Sequence, residues 1–290
     1  MFLINKRDKQ VILDYSLIYD IDSALHLDFY ARGLCIEPEV LFKQPSHFTQ
    51  VSYGLITTNQ REHEIYETNL RKNLKSFDFV ADLSRRMVKS VFHVHKICRC
   101  IEKMPFNQKM QIYDQLFREV GYMFAFKRFS DLLNPEYFSK YKQDEFLEVC
   151  RKVRETSHLV KLNTAIERLR EETTDERIVH FIKYYGFLDG FSICPTELET
   201  IEGVLHRLST SNCTKRIKRK LGETPTDFGL LLFRRIGWYE EMRHYYQLRA
   251  LRIFRQAILI FGLDLYETSY QEFQTYIQER SNAIDNYPTS

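Results

Sequence analysis

The sequence predicts a mainly α fold, and three observations carry that expectation. Glycine and proline are scarce, 10 and 7 in 290 residues, so obligatory turns and helix breakers are few. From Arg61 onward, apolar residues recur at helical spacing in one segment after another. Helix-start signals punctuate the chain, each a hydroxyl or amide residue with Glu or Pro at the right offset. Together they predict a multi-helix body of roughly eight to ten helices. An irregular or small β-containing subregion over residues 1–60 precedes the helical domain of 61–280, and 281–290 form a frayed tail.

The first sixty residues are patterned least. Val11–Tyr19 is a short apolar run that either a strand or a helix would satisfy. Asp22-Ser23 before ALHLDFYARGL reads as a capped helix stopped near Gly33, and Pro38 and Pro45 then bracket a short helical turn. HFTQVSYGLITTN, residues 47–59, is rich in β-branched and small residues and lacks a helical period, which leaves a loop, a small hairpin or a linker open.

Beyond it the helices follow in order. Phe77 to Lys103 sets Phe77, Val80, Leu83, Met87, Val91, Val94 and Ile101 on one stripe, and Pro105 ends it. Asn107 opens a segment that reaches Phe129 through Ile112, Leu116, Val120, Met123 and Phe126. Asn134-Pro135 is a cap with proline at the first helical position. Phe146 to Arg170 continues through Val149, Val153, Leu159, Leu162, Ile166 and Leu169. Thr173/Glu176, Thr196/Glu199 and Ser269/Glu272 read as capping boxes, and Thr224-Pro225 with Asp227 as a further start.

The strongest pattern is Gly237–Gly262, GWYEEMRHYYQLRALRIFRQAILIFG. At about 100° per residue, Tyr246, Leu251, Phe254, Ile258 and Phe261 share one side, and Arg249, Arg252 and Arg255 fall on the other, where water would solvate them. In the first two turns Glu240, Arg243 and Gln247 occupy the apolar sector. Such a helix either leaves the core halfway or lines something polar. Glu240, Arg243, His244 and Gln247 are therefore the candidate ligand-binding group. The competing reading is an internal salt bridge, since Glu240 and Arg243 are i, i+3 partners and Glu240 and His244 are i, i+4.

Composition bounds the function classes. With 44% hydrophobic and 28% charged residues the chain resembles an ordinary globular protein, and 22 Phe and 18 Tyr against one Trp imply an aromatic core. A net charge of +3 argues against a bulk polyanion binder. The basic run Lys215, Arg216, Lys218, Arg219 and Lys220 could contact phosphates, although a solvated loop is the commoner role of such a run. The six cysteines form no CxxC pair and read as free thiols in a reducing compartment. No apolar run is long enough to span a bilayer, and a cytoplasmic location without membrane partners is expected.

Chemistry-bearing motifs are absent from the sequence: there is no phosphate-binding glycine loop, GxSxG elbow or Cys-His signature. Two Glu-x-x-His pairs occur, Glu155/His158 and Glu241/His244, about what chance supplies in a chain of this composition. His93/His95 and Cys98/Cys100 would diverge by about 200° on a helix. No metal and no cofactor are expected.

Arg234–Phe273, ending in GLDLYETSYQEF, resembles the helical region that precedes the swivelling domain of PEP-utilising phosphotransferases, the relatives of phosphoenolpyruvate synthase and pyruvate phosphate dikinase. Tyr184–Glu199, YYGFLDGFSICPTELE, is similar to an aromatic-glycine turn of the same region. The family's ATP-grasp domain and the Gly-rich loop of its phosphohistidine have no counterpart in this sequence, so no catalytic residue carries over. The resemblance implies a stand-alone or split helical piece with no catalysis of its own, or one related to phosphotransfer. A protein partner is expected first, then an anionic or phosphorylated small molecule, with nucleic acid behind both. The alternative is an enzyme or ligand-binding protein with a polar pocket between helices.

Overall fold

The computed structural model describes residues 4–5, 10–12, 23–43, 49–52, 55–127, 129–130, 157–189, 193–210 and 227–285. It is mainly α, with nine α-helices among the described residues. Four short strands pair antiparallel in the order β1-β2-β4-β3: β1 (Ile4–Asn5), β2 (Gln10–Ile12), β3 (Thr49–Ser52) and β4 (Leu55–Asn59). β3 and β4 are the hairpin of the β-branched stretch.

Helix α1 (Ala24–Phe42) starts where Ser23 caps it, the hydroxyl accepting the His26 N–H at 3.2 Å. It does not stop at Gly33, and Pro38 lies inside it rather than at its edge. Gly33 is a packing residue: a Cβ there would collide with the Cβ of Phe124 on α4 (Phe106–Phe124). Across the contact, a Cβ at Gly121 would come within 2.7 Å of the Arg32 side chain. Two glycines thus let α1 and α4 approach closely, and the turn signal read from Gly33 was a contact signal.

Helices α2 (Gln60–Asn73) and α3 (Phe77–Ile101) follow. The α3 stripe is buried from Val80 to Ile101, but Phe77 at its first position is 57% exposed. The longest helix is α8 (Phe228–Phe261), 34 residues or about 51 Å. Asp227 caps its start through the Leu230 N–H at 3.1 Å, and Gly262, in the left-handed region at φ 70°, ends it. α3 and α8 lie side by side and run in the same direction, since Phe77 meets Phe228, Phe92 meets Trp238, His95 meets Tyr246 and Glu102 meets Arg249.

Between α4 and α8 along the chain come α5 (His158–Glu171), α6 (Asp175–Tyr184) and α7 (Ile201–Thr210), with short 3-10 turns at Gly186–Asp189 and Glu197–Glu199; α9 (Tyr270–Asp285) closes the described chain. Ser157 caps α5 in extended backbone, so the pattern read as continuous from Phe146 to Arg170 is broken there. The α6 cap is Thr174, one residue after the one expected. Thr196/Glu199 and Ser269/Glu272 are reciprocal caps as expected, the first opening a 3-10 turn.

Two hydrophobic clusters share α8. The larger joins α1 through α4, α8 and α9. Phe254 sits at its centre, with Phe29, Tyr113 and Phe273 at ring-centroid distances of 5.6, 5.2 and 5.3 Å. The smaller joins α5, α6, α7 and the 3-10 turns around Leu162, Phe181, Leu198 and Leu248 of α8. α8 is therefore covered on both sides, which overturns the expectation that water solvates its arginine face. Arg249 and Arg255 are buried beneath the smaller cluster and its neighbours.

Candidate functional site

Helix α8 carries two sets of charged side chains. Toward its N-terminal half, Glu240 and Arg243 pair across one turn: Nε and Nη2 of Arg243 donate to Glu240 Oε2 at 3.1 and 2.7 Å. The other carboxylate oxygen accepts from the Ser130 hydroxyl at 2.6 Å. The guanidinium carbon lies 5.0 Å from the centre of the Phe124 ring, which itself packs on Tyr30 of α1 at 4.4 Å. Burial alone would raise the Glu240 carboxyl; the charge of Arg243 and the Ser130 hydroxyl override it and hold the group below the usual carboxylate range. For Arg243 burial acts the other way, against the charged form, and Glu240 more than restores it.

One turn further, Gln247 is 2% exposed and its side-chain amide nitrogen meets Nε2 of His26 on α1. Of the four residues read as a candidate group, the fold thus brings Glu240 and Arg243 into direct contact and places Gln247 against α1. His244 is half-buried, and the Glu240 carboxylate goes to Arg243 and Ser130. The basic run 215–220 lies outside the described residues, as do Glu155, Cys150, Cys213 and the Asn134-Pro135 cap.

The second set was missed as a set. Arg249 donates through Nε and Nη2 to both oxygens of Glu102, the C-cap of α3, at 2.7 and 2.5 Å. Arg255 donates to the Ile193 carbonyl at 3.1 Å and to Glu199, and Arg252 lies 3.4 Å from the same Glu199 oxygen. Glu199 also accepts the Thr196 N–H at 3.2 Å. The signal was present in the sequence: Arg249, Arg252 and Arg255 share a face, and a face of three arginines on a helix with an otherwise apolar C-terminal half can be buried if carboxylates meet it. Which carboxylates meet it is a matter of tertiary structure.

Beside this seam His95 Nδ1 and the Tyr246 hydroxyl lie 2.7 Å apart. Burial, reinforced by Arg249 and Arg99, lowers the His95 pKa and so favours the neutral ring beside the phenol. Burial pushes the neighbouring Cys98 thiol up to about 12, which leaves it an unreactive apolar filler. Among the described residues no group of three or more His, Cys, Asp or Glu could hold a metal ion, and no helix is long and apolar enough to cross a membrane.

Compared with protein-family models, with curated proteins and with solved structures, the chain finds no match. The chemistry of its own residues is therefore the basis for function.

Proposed function

We propose that this chain is a non-catalytic helical module that binds a protein partner along the seam between α3 and α8. The observation that carries the reading is a pair of aromatic contacts left at the surface of that seam. Phe92 is 58% exposed beside Trp238, the chain's one tryptophan, at 6.0 Å; Phe77 is 57% exposed beside Phe228 at 4.5 Å. Aromatic side chains anchored on rigid helices supply much contact area at little conformational cost, which is why they dominate protein–protein hot spots. The helices beneath them are held in register by the Glu102–Arg249 pair, of which Arg249 is buried, and by the His95–Tyr246 contact.

In this reading the resemblance of Arg234–Phe273 to PEP-utilising phosphotransferases supplies an origin: a stand-alone or split helical piece whose partner brings the phosphotransfer domains. It rests on sequence likeness alone. The test is affinity capture from native cell extract with the wild type and a Phe77→Ser/Phe92→Ser double variant of unchanged secondary structure. A protein retained by the wild type and lost by the variant supports the seam. Equal retention by both, or nothing retained by either, sinks it.

A further inference from the structure

Arg243 holds donor capacity that no described residue uses. Its Nε and Nη2 are taken by Glu240, whereas Nη1 is buried and has no hydrogen-bond partner among the described residues. The residue is 9% exposed. Gln247 Oε1, one turn along the same face, is buried in the same condition. Glu240 is the part of the group that reaches the surface, with its side chain 32% exposed. Two cations act on that carboxylate, Arg243 by contact and Lys127 through its field. A guanidinium offers two edges to an oxyanion, Nε with Nη2 and Nη1 with Nη2. Glu240, tethered three residues away on the same helix, can reach the first.

We infer that Arg243 anchors a binding site at the α1–α4–α8 junction for the oxyanion of a small molecule, a carboxylate or a phosphate, and that Glu240 stands in for this oxyanion until the ligand displaces it toward solvent. An incoming oxyanion set on the Nη1/Nη2 edge satisfies the donor that Glu240 leaves over, and Phe124 and Tyr30 form the apolar wall beside it. An intrahelical carboxylate suits this role. It neutralises the buried cation with one hydroxyl, that of Ser130, as its tie to another segment among the described residues, so its departure costs the packing of the elements little. The site goes beyond the partner-binding reading and stands or falls without it.

The test is thermal denaturation in inorganic phosphate or acetate, each against sodium chloride of equal ionic strength, for the wild type, Glu240→Gln and Arg243→Met. Removing the resident carboxylate is expected to tighten apparent oxyanion affinity about tenfold, read as a larger rise in midpoint at equal concentration. Arg243→Met is expected to lose the response. The larger of the phosphate and acetate shifts identifies the ligand class. A Glu240→Gln protein that responds no more than the wild type overturns the site, as does a response that survives in Arg243→Met. Should Glu240→Gln not fold, Glu240→Asp, whose shorter side chain reaches the guanidinium less well, must show the same gain; no gain there overturns the site equally.

Discussion

The two sets of charged residues on α8 contain the same chemistry and do different things. Glu240–Arg243 is a pair within one helix: it neutralises a buried cation and, among the described residues, connects α8 only to Ser130. Glu199, in contrast, gathers Arg252 and Arg255 of α8 while capping its own 3-10 turn, so one carboxylate holds the smaller cluster against the central helix. Arg249–Glu102 does the same for α3. The difference teaches that sequence separation, more than burial, marks which ion pairs build the fold. A pair formed three residues apart exists before tertiary structure and can be exchanged afterwards. A pair formed across more than fifty residues exists only when the helices are in place.

The comparison is broken most directly at Glu199. Its side chain is 7% exposed and faces two guanidinium groups that are themselves largely buried. Glu199→Ala leaves both cations without their carboxylate and removes the reciprocal cap of Thr196. Stripping one partner from a buried ionic group costs about 3–5 kcal/mol. At about 2–4 °C per kcal/mol for a chain of this size, the melting midpoint falls by roughly 10 °C. Hydrogen exchange should locate the loss in α5, α6 and α7, with α1, α3 and α4 protected as before. A loss spread evenly over all helices would mean that Glu199 does not act as the link between the clusters.

Glu240→Gln is the matched change in the other set, and a smaller effect is expected. The glutamine carbonyl still accepts from Arg243, and the native pair is partly solvated, so a cost of about 1 kcal/mol at neutral pH is reasonable. Its signature is pH dependence. The folded-state pKa of Glu240 lies below its unfolded value, so its contribution is present above the unfolded pKa and is lost as pH falls through the folded one. Urea denaturation from pH 7 to pH 3 should show the wild type losing stability more steeply than Glu240→Gln, the two curves converging in acid. Parallel curves would show that the pair contributes nothing that titrates.

How much of this was legible in the sequence follows the same division. Helix starts depend on residues three apart, and Ser23, Thr196 and Ser269 act where the sequence places them, whereas Asp227, read as the third residue after a Thr224 cap, is itself the cap of α8. The apolar stripe of α3 from Val80 onward is local in the same sense. The Glu240–Arg243 contact, three residues apart, was readable as one of two alternatives. What failed was contact between distant segments. Gly33 reads as a stop until Phe124 is known to press on it. Arg249 and Arg255 read as solvated until Glu102 and Glu199 are known to meet them. Phe77 sits on the apolar wheel of α3, but at the first position of the helix it extends past the core and meets Phe228 at the surface.

The smallest effect expected sharpens the comparison by reversing its sign. Asp28 on α1 accepts the N–H of Tyr270 at 2.6 Å, tying the start of α9 to the N-terminal helix. Burial raises its pKa, opposed in part by that N–H and reinforced by Glu272. Among the described residues no cation matches this carboxylate as Arg243 matches Glu240, and a raised folded value means that the folded state takes up the proton more readily than the unfolded chain. Its contribution to stability therefore improves as pH falls through the folded pKa, the opposite of Glu240, and at neutral pH the charge is a net cost. Asp28→Asn keeps an acceptor for Tyr270 and removes the charge. It should be more stable than the wild type at pH 7 by about 0.5 kcal/mol or less, and the gap should narrow as pH falls through the folded pKa of the wild-type group. A gap that stays constant over that range would show that the side chain's effect is its hydrogen bond alone, and that the charge on Asp28 is as well accommodated as the one on Glu240.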